Sequence, residues 1–281
     1  MRVIQAPYTL SCIYRIDLKG ILGYGINNAR ITNEIVHPFY FKNSFSSNDA
    51  ITQFTGIAFM STNEFYVTRK GERNNNNQFG GPDNAVLLFD EDDNYVTPIS
   101  ISSGGALYSD FFKSPEAIIC NVVHPQLNIT DTRDFMVVVS GDETEYKFRE
   151  IIYSETDFGV DYIPANNVGE DTSLADGFIT EANKFINPVD ISISGDGSNY
   201  IFITDTETDS LYQFTGTGLE GVQPPAGANS TKYVKVSFGG EGIGATQFNN
   251  PMGAAYMNEI LYVADAGNGR VLRFKLTLDF D

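Results

Sequence analysis

The stretch FNNPMGAAYMNEILYVADAGNGRVLRFKL, residues Phe248–Leu276, holds three short apolar runs separated by turn residues. The runs are Met252–Met257, Ile260–Ala264 and Val271–Leu276, and the breaks between them contain Asn, Asp and Gly. Runs of about five or six residues that are rich in Val, Ile, Tyr and Phe are typical of β-strands and are too short for most helices. The stretch therefore predicts a three-stranded antiparallel meander, which cannot bury both of its faces alone.

The same pattern recurs along the chain. Ile186–Phe214 matches it run for run, and weaker copies begin at Phe54 and at Ser114. The equivalent points of the four copies are Gly56, Ala117, Asp190 and Gly253. Sheet propellers usually repeat every ~40–50 residues, and the copies here lie roughly 60–75 residues apart. Each unit therefore carries surplus chain in its loops.

Small repeated sheets bury their faces by packing on one another around an axis. We therefore predict an all-β fold, a β-propeller of four-stranded blades that forms a single domain over residues 1–281. Blade repeats are expected over 54–110, 114–165, 185–240 and 248–281, and residues 1–53 are expected to form a partial, closing blade. Within the latter, Cys12–Asp17 resembles the third strand of a unit and Pro38–Lys42 an outer strand.

The two chain ends are expected to meet. An N-terminal strand would complete the sheet that the C-terminal strands begin, which removes the exposed sheet edges of an open ring. The alternative is that residues preceding Met1 complete that sheet.

The long segments collect on one side of the predicted ring. With the strands of a unit called A to D from the axis outward, the B–C turns and the D–A links share one face, called here the B–C face. Three long segments, 71–84, 155–185 and 215–249, belong to it, whereas 124–134 is a long A–B loop on the opposite face, the A–B face. Because long loops on a rigid scaffold usually carry binding, we expect a ligand at the B–C face.

Composition limits the function classes. Lys and Arg number 18 and Asp and Glu 36, so the net charge is −18 and both nucleic acid and anionic membrane surfaces are disfavoured partners. Two cysteines and two histidines make neither a disulfide framework nor a multi-histidine metal site. No apolar run approaches the ~20 residues of a membrane span, and the first residues lack the apolar core of a signal peptide.

The last repeat resembles the NHL-repeat β-propeller family, whose pattern joins Phe-x-x-Pro-x-Gly to Tyr-Val-x-Asp-x-x-Asn-x-Arg-Val. The matching residues are Phe248, Pro251, Gly253, Tyr262, Val263, Asp265, Asn268, Arg270 and Val271. The 185–214 repeat keeps Asp205 but has Thr208 and Ser210 where Asn and Arg are expected, and the 54–90 repeat has Arg69 in place of the Asp. The resemblance implies a propeller, usually of six blades. Four repeats and a partial one then give five or six.

Candidate binding residues lie in the repeat signature and in the 71–84 loop. They are Arg69, Arg73, Phe79, Asp265, Asn268 and Arg270. For Asp265 the alternative is a structural role, in which it accepts turn N–H groups and faces Arg270 across the hairpin. Asp205, Glu207 and Asp209 form a D-x-E-x-D run, but an EF-hand loop needs Gly and Glu where Ser210 and Gly216 stand. We therefore predict no metal or cofactor, with calcium at this run as the alternative.

Catalysis has little support in the sequence. Some propellers of the resembling family are calcium lactonases or histidine-zinc lyases. His37 and His124 are too few for the lyase site, and Glu116 and Asp190 are the channel carboxylates that a cation site would use. We predict a non-catalytic module that binds a protein or a glycan, exported, periplasmic or at the cell surface of a bacterium, as part of a larger assembly. A divalent-cation-dependent hydrolase or lyase is the alternative.

Overall fold

The structure, a computed structural model, describes residues 13–17, 19–20, 23–24, 30–36, 53–71, 84–103, 106–107, 111–123, 130–141, 146–165, 177–195, 197–222 and 236–275. Within these ranges the chain forms β-strands, loops and one 3-10 turn at Ala266–Asn268, with no α-helix. The N-terminal strands are β1 (Ile13–Asp17), β2 (Lys19–Gly20), β3 (Gly23–Tyr24) and β4 (Arg30–Val36). They form two antiparallel pairs, β1 with β4 and β2 with β3.

Four larger sheets follow, each an antiparallel meander in chain order. The first sheet contains β5 (Gln53–Phe59), β6 (Phe65–Lys70), β7 (Ala85–Phe89) and β8 (Tyr95–Pro98), and is followed by the short pair β9 (Ser102–Ser103) and β10 (Ala106–Leu107). The second sheet contains β11 (Pro115–Val123), β12 (Thr130–Val139), β13 (Phe148–Thr156) and β14 (Gly159–Pro164). The third contains β15 (Pro188–Ile193), β16 (Ile201–Asp205), β17 (Ser210–Phe214) and β18 (Phe238–Gly239), and the fourth β19 (Pro251–Met257), β20 (Ile260–Asp265) and β21 (Arg270–Lys275).

All four sheets carry the same irregularity in the pairing of their first two strands. The register skips one residue immediately before each of the four points that the sequence marks as equivalent. The skipped residues are Thr55, Glu116, Val189 and Met252. A β-bulge turns the extra side chain out of the regular alternation. The repeat therefore preserves a backbone feature even where the sequence motif is lost.

Turn residues end the strands where the sequence predicts. Asn63, Asn199, Asn258 and Glu259 in A–B turns and Asp93 in a C–D turn all have positive φ, from 51° to 70°. Asn and Asp tolerate this left-handed conformation better than most residues. At Asn258-Glu259 both residues of the turn have positive φ, as a two-residue hairpin connection requires.

The first strands of consecutive sheets lie side by side, β5 next to β11, β11 next to β15, and β15 next to β19. Their approach is close at Gly56, where a Cβ atom would lie 3.0 Å from the Cα atom of Ala117. Apolar layers fill the spaces between successive sheets. They contain Tyr66, Phe135 and Ile151 between the first and second, Met136, Phe185 and Ile203 between the second and third, and Phe202, Phe248 and Val263 between the third and fourth. The predicted all-β propeller architecture is confirmed.

The fourth sheet differs from the other three. It has three strands, and one of its faces is exposed, with Met257, Tyr262 and Val271 as its large apolar side chains. The expected addition of an N-terminal strand to this sheet is not seen among the described residues, where β1 pairs with β4 instead. The predicted outer strand at Pro38–Lys42 lies outside the described residues.

The predicted strand boundaries shift most in the second sheet. The sequence placed the second strand at Phe135–Val139, but β12 begins at Thr130, because after a register shift Asp131 and Thr130 pair with Val122 and Val123. The expected 124–134 loop is therefore shorter, and residues 124–129 lie outside the described residues. The outer strands predicted within 155–185 and 215–249 are β14 and β18.

Candidate functional site

The signature residues of the last repeat bind one another. Asp265 is fully buried and accepts hydrogen bonds from the backbone N–H of Asn249 (2.7 Å), Asn268 Nδ2 (2.9 Å) and Arg270 Nε (2.6 Å). The remaining guanidinium N–H groups of Arg270 donate to the carbonyl oxygens of Ile243, Gly244 and Gln247 at 2.8–3.0 Å. Asn268 also donates to the Gly242 carbonyl. The three side chains thus fasten the 242–249 loop to the β20–β21 turn, as the structural alternative for Asp265 proposes.

The D-x-E-x-D run is likewise occupied by backbone groups. Asp205 is fully buried and accepts N–H hydrogen bonds from Ile186, Asn187, Glu207 and Thr208 at 2.7–3.2 Å. The carboxylate of Asp209 accepts the N–H of Asn250 at 2.6 Å, which ties the third sheet to the start of the fourth. Calcium needs six to eight oxygen ligands, and these oxygens already serve the chain. Among the described residues, no group of three or more His, Cys, Asp or Glu side chains is placed to hold a metal ion.

Of the remaining predicted binding residues, the structure describes Arg69, which belongs to the first sheet. Arg69 occupies in the first sheet the position of Asp205 and Asp265, directly opposite Phe54, and it is buried. Arg73 and Phe79 lie outside the described residues. The hydrogen bond from the N–H of Gly71 to Asn84 Oδ1 (3.0 Å) holds together the two ends of the loop that contains them.

A cavity of about 800 Å³ lies where the first strands meet, and it is the strongest candidate site in the described part of the chain. All four bulge residues line it, Thr55, Glu116, Val189 and Met252. We call this space the axial cavity. Because the bulge turns one side chain per sheet towards the axis, the repeat itself builds the cavity wall. Lys70 and Ser140, at the ends of the second strands, line its end nearest the B–C face.

A polar triad closes that end of the axial cavity. The carboxylate of Glu116 accepts hydrogen bonds from Lys70 Nζ on both oxygens (2.8 and 2.7 Å) and from Ser140 Oγ on Oε1 (2.5 Å). Lys70 is partly exposed, and Glu116 largely buried. The triad presents an ammonium and a hydroxyl to an incoming ligand while its charges balance.

Deeper in the axial cavity lies Asp190. Its Oδ2 accepts the N–H of Ala254 at 2.7 Å, which links the third sheet to the fourth. Burial raises the pKa of Asp190 above its usual range, although hydrogen bonds from the backbone N–H groups of Ala254 and Ile191 oppose this. The buried Ser192 hydroxyl, which also lines the cavity, has no hydrogen-bond partner among the residues that the structure describes. The two channel carboxylates anticipated from the sequence, Glu116 and Asp190, therefore line one cavity.

Sequence reasoning missed Lys70 and Ser140. Each directly follows the position of the signature aspartate, occupied by Arg69 in the first sheet and Val139 in the second. An alignment of the four repeats that extended one residue past the signature would have placed them together at the B–C ends of their strands. The signal was present, but it stood in the two repeats where the motif is weakest.

No protein-family model matches the chain, and no curated protein matches it. Among solved structures it is similar to an auxiliary nutrient binding protein from Bacteroides thetaiotaomicron, at 14% identity and a TM-score of 0.43, over 78% of this chain and 46% of that one. It is also similar to a virginiamycin B lyase from Staphylococcus aureus, at 11% identity and a TM-score of 0.37, over 90% of this chain and 76% of that one. A chain of a nidogen/laminin complex matches at 12% identity and a TM-score of 0.36, over 95% of this chain and 87% of that one. This chain spans less than half the length of the nutrient binding protein. At these values no ligand, activity or partner passes from those proteins to this one.

The described part of the chain contains no helix long and apolar enough to cross a membrane.

Proposed function

We propose that this chain is a non-catalytic binding module, a single propeller domain with NHL-type repeats that holds a protein segment or a glycan at its B–C face. The observation that carries this is the axial cavity of about 800 Å³, with the Lys70–Glu116–Ser140 triad at its B–C end. Its volume is within the ~300–1,000 Å³ range of ligand sites, and its wall mixes apolar strand residues with a few fixed polar groups.

The signature residues support the structural half of this proposal. Asp205, Asp265 and Arg270 form their hydrogen bonds with backbone groups of loops at the sheet ends. They therefore stabilise the conformation of the B–C face, and the ligand would contact the axial cavity and the loops around it. Long loops on a rigid scaffold are a common arrangement for binding.

The proposal places the module outside the cytoplasm, as a component of a larger assembly. The acidic composition, with a net charge of −18, favours solubility and disfavours nucleic-acid partners. Cys120 is buried, and burial raises the pKa of its thiol to about 12, so this cysteine is chemically inert in an oxidising compartment.

Two variants test the B–C face. Lys70→Met removes the ammonium of the triad, and replacement of residues 72–83 by two glycines removes the loop whose ends Gly71 and Asn84 hold together. Binding to an immobilised glycan panel and to a surface-protein fraction is measured for both. We expect each variant to lose at least about tenfold in affinity, or roughly 1.4 kcal/mol. The loop variant should keep its melting temperature, whereas Lys70→Met leaves the Glu116 carboxylate with Ser140 but without its cation and should melt somewhat lower. Glu91→Ala, in an exposed C–D turn on the opposite face, is the matched control. Binding that survives both changes would contradict the proposal.

A second candidate is a divalent-cation-dependent hydrolase or lyase, favoured by the presence of Glu116 and Asp190 in one cavity. A cation that binds only the folded protein stabilises it by about 2.7 kcal/mol at a hundredfold excess over its Kd. The melting temperature measured with calcium should then be several degrees higher than the melting temperature measured with EDTA. Identical melting curves in both solutions would remove this candidate.

A further inference from the structure

A second cavity, of about 710 Å³, opens between the first and second sheets on the A–B face. Three tyrosines line it, Tyr66 from β6, Tyr153 from β13 and Tyr162 from β14, and we call it the tyrosine cleft. Its rim includes the A–B turn of the first sheet, through Ser61, Thr62 and Glu64. None of its lining residues belongs to the axial cavity.

The floor of the tyrosine cleft carries a directed chain of hydroxyl groups. Tyr66 Oη donates to the carbonyl oxygen of Arg133 at 3.0 Å, and the Tyr66 and Tyr162 hydroxyls are 3.1 Å apart. A carbonyl only accepts, so the single proton of Tyr66 points to Arg133 and Tyr162 must donate to Tyr66. The Tyr162 oxygen therefore retains lone pairs that can accept from a ligand. Burial raises the pKa of both hydroxyls, which keeps them protonated near neutral pH.

One wall of the tyrosine cleft is formed by Arg133, whose guanidinium group stacks on the ring of Tyr153. The guanidinium carbon of Arg133 lies 4.0 Å from the centroid of the Tyr153 ring. Arg133 Nη1 and the Tyr153 hydroxyl both donate to Glu155 Oε2 at 3.2 Å. These contacts fix the orientation of the guanidinium, so that its donors and its flat face are pre-positioned at the edge of the cleft.

The other walls have apolar side chains on the inside of the cleft and Ser and Thr side chains at its rim. Met60 and Leu88 lie along the inside, and Val96 and Val160, each 49% exposed, face solvent from the outer strands β8 and β14. Hydroxyl side chains are spread around the opening, at Ser61, Thr62, Thr97 and Ser100. Apolar surface and hydrogen-bonding groups thus alternate around the tyrosine cleft.

We propose that the tyrosine cleft binds a neutral carbohydrate. A sugar ring offers apolar C–H faces to the exposed Val96 and Val160 side chains and to the partly buried Tyr153 ring, since Tyr66 is fully buried and Tyr162 nearly so. Its hydroxyl groups can both donate to and accept from the polar groups of the cleft. Arg133 is the cation among the lining residues and is already paired with Glu155, while Glu64 adds a negative charge at the rim, so the cleft does not favour an anion. The net charge of −18 further disfavours an anion. A purely apolar ligand is disfavoured, because it would take the Tyr162 oxygen and the rim hydroxyls out of contact with water and offer no hydrogen bond in exchange.

The test is a titration of the whole chain with neutral disaccharides of glucose, galactose, mannose and xylose, followed by calorimetry and by saturation-transfer NMR. Val96→Arg and Val160→Arg fill the cleft from exposed rim positions, and Tyr162→Phe removes the accepting oxygen while it keeps the ring. We expect binding of at least one disaccharide, a loss of tenfold or more in affinity with either arginine, and a loss of about fivefold with Tyr162→Phe.

Val271→Arg is the matched control, because Val271 is 67% exposed on the fourth sheet, away from the cleft. It should leave both affinity and melting temperature unchanged. The proposal is overturned if no disaccharide binds, if binding ignores the two cleft arginines, or if free tyrosine or a short aromatic peptide binds there in place of the sugars. Because the Lys70→Met variant leaves this cleft intact, sugar binding that it abolishes would belong to the axial cavity instead.

Discussion

Asp265 in the fourth sheet and Glu150 in the second are both buried acids, but their surroundings differ. Burial raises the pKa of Asp265, yet hydrogen bonds from the Asn249 N–H, Asn268 and Arg270 outweigh it, and the pKa ends below its usual range. Burial raises the pKa of Glu150 to about 7, and the negative charge of Asp134 adds to this effect. Donors therefore hold Asp265 ionised, whereas burial and the neighbouring carboxylate favour the protonated form of Glu150.

The contrast shows what the repeat provides and what it does not. The position equivalent to Asp265 is occupied by Asp205 in the third sheet, by Arg69 in the first and by Val139 in the second. All four sheets nevertheless have the same bulge and the same meander. Where the aspartate is present, its donors come from equivalent places, the N–H two residues before the strand proline (Ile186 or Asn249) and the turn after the aspartate (Thr208 or Asn268). The fold therefore depends on strand pattern and packing, while the signature fastens individual loops.

The largest expected effect comes from placing the signature aspartate in the second sheet. Val139 is fully buried in the apolar layer against the first sheet, and no signature Arg or Asn follows it. Val139→Asp should lower the free energy of unfolding by about 5 kcal/mol at pH 8, because the carboxylate has no compensating partner. Urea denaturation measures this, with Val139→Thr as the isosteric polar control. Equal stability of the two variants would mean that the second sheet does supply hydrogen-bond donors to a carboxylate at this position.

Removal of the aspartate from the third sheet should have the next largest effect. Asp205→Ala leaves the N–H groups of Ile186, Asn187, Glu207 and Thr208 without their acceptor, at an expected cost of about 4 kcal/mol. Asp205→Asn keeps one accepting oxygen and should cost about half as much. Hydrogen exchange of the four amides should accelerate in the alanine variant. Unchanged exchange rates would show that the hydrogen bonds to Asp205 do not hold these backbone segments in place.

The fold was predictable because each repeat carries its own local signals. In each repeat the apolar runs of strand length, the turn residues such as Asn63 or Asn258, and the equivalent points such as Gly56 or Gly253 lie within a few residues of one another. Such signals survive in a single sequence. The predicted closure by an N-terminal strand had weaker support, because β4, with the sequence RITNEIV, mixes polar and apolar residues and gave no strand signal that would have paired it with β1.

The candidate sites were only partly predictable, for a physical reason. The axial cavity follows from the repeat, and Glu116 and Asp190 were found because they occupy equivalent strands. The tyrosine cleft joins Tyr66 and Tyr162, which are 96 residues apart and belong to different sheets. Their meeting depends on the rotation of one sheet against the next, and no pattern within either repeat encodes it.

The smallest expected effect concerns Glu150, the buried acid of the second sheet whose pKa is raised. With a pKa of about 7 in the folded state against 4.5 for an ordinary glutamate, Glu150 binds its proton more tightly when the protein is folded. Its contribution to stability is therefore complete below about pH 4.5 and is lost as the pH rises through 7. Glu150→Gln should be close to neutral at pH 4.5 and should stabilise the protein by up to about 3 kcal/mol at pH 8. Urea denaturation across this range measures the difference. A pH-independent difference would mean that donors hold Glu150 ionised, as they hold Asp265, and the two regions would then be alike.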